Sequence, residues 1–420
     1  MTTKKVPQIR FKGFSEEWED SIFHKIFTNI PNNTLSRDKL NYNCGLAKNV
    51  HYGDVLIKFG EVLNIQKEEL PFISSNDYVE KLKSSKLQNG DIVIADAAED
   101  EIVGKCTEIT NIEKDIVLSG LHTIAVRPVL AFASKYLGYY LNSSAYHNQL
   151  LPLLQGTKVL SISKSAIKNT TIYYPSTSLE QTKIGNYFQN LDHLIEQKEK
   201  KHQKLKQLKK AMLEKMFPKD GKRTPEIRFK GFHGEWEEKS LGELSEYKNG
   251  KGHEDKQRTF GKYELINLNS ISIDGGLKHS GKFIDETDMT LNENDLVMIL
   301  SDVGHGDLLG RVALIPENNK FVLNQRVALL RPQENIISSF LFYNINADQK
   351  YFKLQGAGMS QLNISRNSVE KFVLYLPLNI QEQIKIGNYF QKLDKLIELQ
   401  LQEIEKLKNI KKASLEKMFV

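Results

Sequence analysis

The sequence predicts an α+β protein: two similar mixed α/β domains separated by two long helices, which pair as an antiparallel coiled coil with approximate two-fold symmetry. Three observations carry this expectation. The chain contains a long internal duplication, each copy has a stretch with apolar residues at alternating steps of three and four, and a strand-like run ending at a proline precedes each such stretch.

The duplication is read directly. Pro7-Gln-Ile-Arg-Phe-Lys-Gly-Phe-Ser-Glu-Glu-Trp18 recurs 218 positions later as Pro225-Glu-Ile-Arg-Phe-Lys-Gly-Phe-His-Gly-Glu-Trp236. These segments hold the only two tryptophans, Trp18 and Trp236, and core packing is the expected role of each. Lys183-Ile-Gly-Asn-Tyr-Phe-Gln189 recurs 202 positions later as Lys385-Ile-Gly-Asn-Tyr-Phe-Gln391, and Glu214-Lys-Met-Phe217 returns as Glu416-Lys-Met-Phe419 with the same shift. The smaller second shift makes the second variable segment the shorter one. A period near 200 residues is a duplicated domain and not a solenoid repeat. The boundaries that follow are a variable domain at 1–176, a helix at 177–217, a linker at 218–224, a second variable domain at 225–376 and a second helix at 377–420. Pro218-Lys-Asp-Gly-Lys-Arg-Thr-Pro225 has the composition of an exposed connection.

Helix starts are marked by Thr177 with Glu180 and by Asn379 with Glu382, each pair spaced as a capping box just after a proline. Behind them Ile184, Phe188, Leu191, Ile195, Leu205 and Met212 form the first apolar stripe, and Ile386, Phe390, Leu393, Ile397, Ile404 and Leu407 the second. Met216 and Met418 extend the stripes, and Lys198 and His202 interrupt the first. Each helix would run for roughly 57 Å with an exposed stripe that the other can cover, so pairing is expected. The run Lys198-Glu-Lys-Lys-His-Gln-Lys-Leu-Lys-Gln-Leu-Lys-Lys210 reads as a solvated helix face before it reads as a phosphate site, and His202 within it takes no ligand role.

The variable segments share landmarks. Thr170-Thr-Ile-Tyr-Tyr-Pro175 and Lys371-Phe-Val-Leu-Tyr-Leu-Pro377 close them as strands. Leu87-Gln-Asn-Gly-Asp-Ile-Val-Ile94 matches Leu291-Asn-Glu-Asn-Asp-Leu-Val-Met298, Val103-Gly-Lys-Cys106 matches Leu309-Gly-Arg-Val312, and Ala125-Val-Arg-Pro128 matches Leu329-Leu-Arg-Pro332. Short helices are expected near 134–150 and 337–352. Between the landmarks the copies diverge, as at Asn267–Gly276 and Ser301–Leu308, so a common scaffold carries unlike loops.

Composition bounds the function more loosely. With 58 basic and 52 acidic residues the net charge of +6 favours a polyanionic partner only mildly. Cys44 and Cys106 form no metal-binding or disulfide pattern, the N-terminal residues lack an apolar run, and no stretch has the length of a membrane span, so a cytoplasmic protein without membrane contact is expected.

Taken in order, these motifs resemble the specificity subunit of Type I restriction-modification systems. The residues that carry the likeness are Pro7 to Trp18, Gly90-Asp91, Glu180-Gln181 and Ile184, repeated as Pro225 to Trp236, Asn294-Asp295, Glu382-Gln383 and Ile386, and they span essentially the whole chain. The resemblance implies that each variable domain is a target-recognition domain reading one half of an interrupted site on double-stranded DNA. It also implies that the helices fix the gap and hold two methyltransferase subunits, with restriction/translocase subunits as further partners. Half-sites one turn of DNA apart lie roughly 34–36 Å apart, a span that helices of this length cover.

Base reading calls for polar and basic side chains on groove-facing loops. The loops before the closing strands supply Thr157 and Lys158 in the first domain and Ser360 and Gln361 in the second, beside glycines that let backbone approach a phosphate. No catalytic role and no cofactor are expected. The chain has no Pro-Pro for an amino-methyltransferase loop, no F-x-G-x-G methyl-donor signature and no Walker A motif, and Glu254-Asp-Lys256 is too short a match for a nuclease. A stand-alone split-site DNA-binding regulator or a coiled-coil scaffold is the alternative reading.

Overall fold

The computed structural model describes residues 5–219 and 221–420; residues 1–4 and Asp220, the latter inside the linker read from the sequence, lie outside the described residues. The chain divides into two compact units, one formed by residues up to Lys198 together with Glu403–Val420, the other by Glu199–Gln402. Each unit combines a variable domain with parts of both long helices, Ser178–Lys215 and Ile380–Lys417.

In the N-terminal unit the main sheet has five strands, in the order Phe27–Ile30, Thr123–Pro128, Ile92–Ala95, Cys106–Thr110 and Val62–Asn64. All neighbours are antiparallel except the last pair, where Val62–Asn64 runs parallel to Cys106–Thr110. Ile92–Ala95 reads as an unbroken apolar run because both of its faces are covered. One face packs with Trp18, Tyr136, Tyr140 and Phe188, the other with Val50, Val55 and Leu63. A second sheet orders Ile116–Ser119, Ala47–Val50, Phe72–Ile73 and Leu40–Asn41. Glu19–Ile22 pairs with Thr171–Tyr174, so the strand after the opening motif lies beside the strand before Pro175.

The C-terminal unit repeats this plan with omissions. Its main sheet has four strands, Ser245–Asn249, Val327–Pro332, Leu296–Ile299 and Val312–Leu314, all antiparallel. No described strand pairs with the outer edge of Val312–Leu314, where the other unit places Val62–Asn64. A smaller sheet orders Phe283–Ile284, Tyr263–Ile266 and Phe321–Leu323, and Glu237–Ser240 pairs with Val373–Leu376. The short helices expected in each domain occur in two pieces, Tyr136–Leu141 with Ser144–His147, and Ser338–Ala347 with Lys350–Gln355.

The helix contacts within each unit are antiparallel. In the N-terminal unit the Phe188 ring stacks on Phe419, Asp192 pairs with Lys411, and Lys198 pairs with Glu403, partner numbers falling as helix numbers rise. In the C-terminal unit Phe390 stacks on Phe217 and Asp394 pairs with Lys209. Ile184 and Phe188 are core residues of the N-terminal unit with Leu191 packed against them, and Ile386, Phe390 and Leu393 hold the same places in the other. Ile195 and Ile404 are buried, while Leu205, Met212, Ile397 and Leu407 are half-buried. Lys198 and Lys209 of the lysine-rich run are thus spent on ion pairs with the second helix.

The capping boxes are only half formed. Thr177 Oγ1 accepts from the Glu180 amide at 3.4 Å and Asn379 Oδ1 accepts from the Gln381 amide at 2.9 Å, but the two glutamates do not reach back. Both oxygens of Glu180 accept from Arg10, at 2.7 and 2.8 Å, and both oxygens of Glu382 accept from Arg228, at 2.6 and 2.8 Å. A bidentate guanidinium outcompetes a single backbone N–H for a carboxylate.

One buried acid gives the N-terminal unit a pH dependence of its own. Glu108 accepts from the Lys135 amide at 2.5 Å and the Gly138 amide at 3.0 Å, capping the start of Tyr136–Leu141, and burial pushes its carboxyl from 4.5 up to about 7. A carboxyl raised in the fold holds its proton there after the unfolded chain has lost it. Its contribution is therefore present below pH 4.5 and lost as pH climbs towards 7, on the order of 3 kcal/mol in all. Urea unfolding midpoints of Glu108→Gln should show a weaker pH dependence than wild type across that window; parallel curves would show that Glu108 does not carry it.

Candidate nucleic-acid interface

The loops chosen from sequence have one construction in both units. Gln155 and Ser161 exchange both backbone hydrogen bonds, at 2.9 and 2.8 Å, and Leu160–Ser161 pairs with Ala97–Ala98. Ala357 and Asn363 do the same at 3.0 and 2.9 Å, and Leu362–Asn363 pairs with Ser301–Asp302. Each closure forces a glycine into the left-handed region, Gly156 at φ +118° and Gly358 at φ +136°. A Cβ on either would lie 2.0 Å from the carbonyl oxygen of Val159 or Gln361, so no other residue fits.

What remains is a three-residue tip, Thr157-Lys158-Val159 in one unit and Met359-Ser360-Gln361 in the other. Thr157, Lys158 and Ser360 are exposed and, among the described residues, make no side-chain hydrogen bond or ion pair. Gln361 is half-buried, its amide nitrogen donating to Asn363 Oδ1 at 3.3 Å, and Ser301 Oγ donates to the same oxygen at 2.5 Å. Counted from Gly156 and Gly358, Lys158 corresponds to Ser360 and Val159 to Gln361. The tips also carry two exposed apolar side chains, Val159 at 56% and Met359 at 105% of full exposure. The 202-residue shift between Gly156 and Gly358 is the signal for the correspondence.

The remaining landmarks hold the scaffold that presents these tips. Asp91 accepts from the Gln88 amide at 2.6 Å and from Arg127 at 2.8 and 2.7 Å; Asp295 accepts from the Asn292 amide at 2.7 Å and from Arg331 at 2.8 and 2.7 Å. The turn thereby clamps the Arg-Pro end of the neighbouring strand, and each carboxylate holds its arginine in the charged form. Gln181 donates to the Pro175 carbonyl at 2.9 Å and accepts from the Ala133 amide at 2.9 Å. Gln383 donates to the Pro377 carbonyl and accepts from the Ile337 amide, both at 3.1 Å. The buried carboxylates and glutamines are thereby committed to the scaffold. Trp18 and Trp236 are core residues, 2% and 1% exposed. Glu254 is engaged by the Gln325 amide nitrogen. Cys106 is buried, which raises its thiol pKa, and Cys44 is an exposed free thiol. Among the described residues no helix is long and apolar enough to cross a membrane.

Residues 48–207 and 233–409 match the family model of the Type I restriction modification DNA specificity domain, one match for each half of the duplication. The chain is 22% identical to the MjaX protein of Methanocaldococcus jannaschii, assigned as a type I restriction enzyme specificity subunit, over 94% of this chain and 91% of that one. The fold is shared with the crystal structure of a Type I restriction-modification S subunit from M. genitalium, at TM-score 0.61 and 16% identity over 99% of both chains. It is also shared with a chain from a type I R-M system solved to explain complex assembly and conformational transition, at TM-score 0.55 and 15% identity over 96% of this chain and 97% of that one. With both halves of the duplication matched, this chain belongs to the Type I restriction-modification DNA specificity family.

Proposed function

We propose that the chain is the non-catalytic, sequence-specific DNA-binding subunit of a type I restriction-modification complex. Each recognition domain reads one half of an interrupted site on double-stranded DNA, the paired helices set the gap and dock two methyltransferase subunits, and restriction/translocase subunits complete the assembly. The observation that carries this reading is the duplication: both units keep the same Arg–Asp, Arg–Glu and Gln–Pro ties, yet present different residues on the same loop.

The tips supply suitable chemistry. Lys158 offers a cation to a phosphate or to the acceptor edge of guanine, Thr157 and Ser360 offer hydroxyls, and Gln361 offers an amide for adenine. Val159 and Met359 offer apolar contact to a thymine methyl. A mismatch at a read base pair is worth about 1–3 kcal/mol, enough to discriminate when several are read together.

The test is the methylation pattern in cells expressing this chain with its methyltransferase. A two-part motif interrupted by unread bases is expected, and replacing residues 15–170 with the equivalent segment of another family member should change one half alone. A continuous motif, or a change in both halves, would overturn the reading.

A further inference from the structure

The two units build the same ionic centre where the long helices meet the recognition domain, and one of them lacks a component. In the N-terminal unit Lys411 bridges two carboxylates, Asp192 at 2.6 Å and Glu61 at 2.8 Å, beside Tyr139, whose hydroxyl donates to Asp192 at 2.7 Å. In the C-terminal unit Lys209 pairs with Asp394 at 2.5 Å, and the Tyr343 hydroxyl donates to Asp394 at 2.7 Å. The lysine stands over the tyrosine ring in both, at 5.7 and 5.6 Å. Among the described residues no carboxylate takes the place of Glu61 beside Lys209.

The reason is steric and visible in sequence. Glu61 enters with the strand Val62–Asn64, and its carbonyl accepts from the Glu108 amide at 2.9 Å as it passes Gly138, where a Cβ would lie 2.2 Å from that oxygen. The residue before Tyr343 is Phe342, whose side chain does not permit so close an approach of backbone, and no described strand lies on that edge. In its place is a half-open cavity of about 670 Å³, with Phe342, Ile273 and Ile397 on its apolar walls and Lys209 and Arg311 among its cations.

Arg311 is the second sign of a missing anion. It occupies the position of Lys105, whose ammonium donates to the Leu56 carbonyl at 2.8 Å and lies in the field of Glu61. Arg311 donates only to the Asn346 carbonyl, at 3.2 Å; its buried Nε has no partner, and no carboxylate pairs with it among the described residues. Arg311 is half-buried and lines the cavity, and a guanidinium partly removed from water without a carboxylate beside it is stabilised by an anion brought there. Asp274, at the exposed mouth, acts on it only through space.

We infer that this cavity is a binding site for a carboxylate carried on an apolar body, with Arg311 and Lys209 taking the place towards the ligand that Lys105 and Lys411 take towards Glu61. The volume suits a small organic acid. Such a carboxylate reaches the site either on a free ligand or on an acidic side chain of a bound protein.

The full chain is titrated calorimetrically with benzoate at constant ionic strength, with benzamide as the uncharged control. Saturable one-to-one binding of benzoate but not benzamide is expected. Arg311→Met should weaken binding about ten-fold or more, the worth of a charged hydrogen bond, whereas Arg311→Lys, the residue the other unit carries, should keep part of it. Melting curves of both variants exclude misfolding as the cause. Absence of saturable benzoate binding, equal binding of benzamide, or wild-type affinity in a folded Arg311→Met protein would overturn the inference. So would benzoate binding that appears only in Asp274→Asn, because Asp274 would then be the occupant. Repeating the titration with methyltransferase bound separates the two sources, and this arm alone rests on the function proposed above. Displacement of benzoate identifies a partner's side chain, and retention identifies a free ligand.

Discussion

Replacing Phe419, the penultimate residue, with alanine is expected to destabilise the unit that begins at the opposite end of the chain by about 3–5 kcal/mol. Phe419 lies outside the second long helix but inside the N-terminal core, its ring 5.6 Å from Phe188, 5.7 Å from Tyr140, 6.1 Å from Tyr136 and 6.3 Å from Trp18. Truncation removes a fully packed aromatic and leaves a cavity among rings that are themselves fixed by neighbours, so little collapse can offset the loss. The Ile9 amide also donates to the Lys417 carbonyl at 2.9 Å, tying the opening motif to the end of that helix. Hydrogen exchange should show lost protection in Ile92–Ala95 and Thr123–Pro128, with Leu296–Ile299 in the other unit as the reference. As a control, Ile410→Ala on the exposed face of the helix should change stability by less than about 0.5 kcal/mol. Unchanged protection in the Phe419 variant would remove the C-terminal residues from the N-terminal core.

That core shows what was legible in the sequence. The duplication made two similar halves and two long helices visible, because identical residues recurring at a fixed shift need no energetic argument. The apolar steps of three and four located the helix faces, because burial on one side of a helix leaves that period. The same reasoning could not divide the stripes between partners: Ile184 and Phe188 serve a recognition-domain core as much as a helix seam, and periodicity reports burial without naming what covers it. Phe217 and Phe419 were part of the repeated Glu-Lys-Met-Phe motif, yet they follow the last helical turn and so fell outside any helical pattern.

Polar landmarks were harder still. Glu180 and Glu382 sit where a capping box puts its glutamate, and spacing alone favoured that role; their arginines lie 170 and 154 positions away, and no local rule reaches so far. The Asp91–Arg127 and Asp295–Arg331 clamps join two motifs that lie apart in sequence. Glycine beside polar residues marks a tight loop, which is why the sequence singles out Thr157, Lys158, Ser360 and Gln361, while the exposure of Val159 and Met359 beside them has no polar or periodic signal. The missing fifth strand could have been anticipated from Gly138 and Phe342, since only a glycine admits the Glu61 backbone.

The second large effect concerns those arginines. Arg10→Ala leaves the Glu180 carboxylate, 1% exposed, without its bidentate partner, and a loss of about 3–5 kcal/mol is expected, as for other buried pairs deprived of one member. The loss measures an abandoned charge more than it measures the worth of the pair, because both ions gave up hydration to meet. Glu180→Ala should therefore cost less, since Arg10 is more exposed and keeps its bond to the Glu16 carbonyl. Replacing both residues, Arg10→Met with Glu180→Leu, should recover most of the stability lost in Arg10→Ala, and Arg228 with Glu382 should give the same order of costs in the other unit. Urea denaturation of the single and double variants supplies the cycle. Equal costs for the two single changes would mean that the tie acts through packing of the Pro7–Trp18 segment alone. An unequal pair with recovery in the double variant would mean that the single changes report the charge left behind, and that packed apolar side chains hold the opening motif to the first turn of the helix as well as the ion pair does.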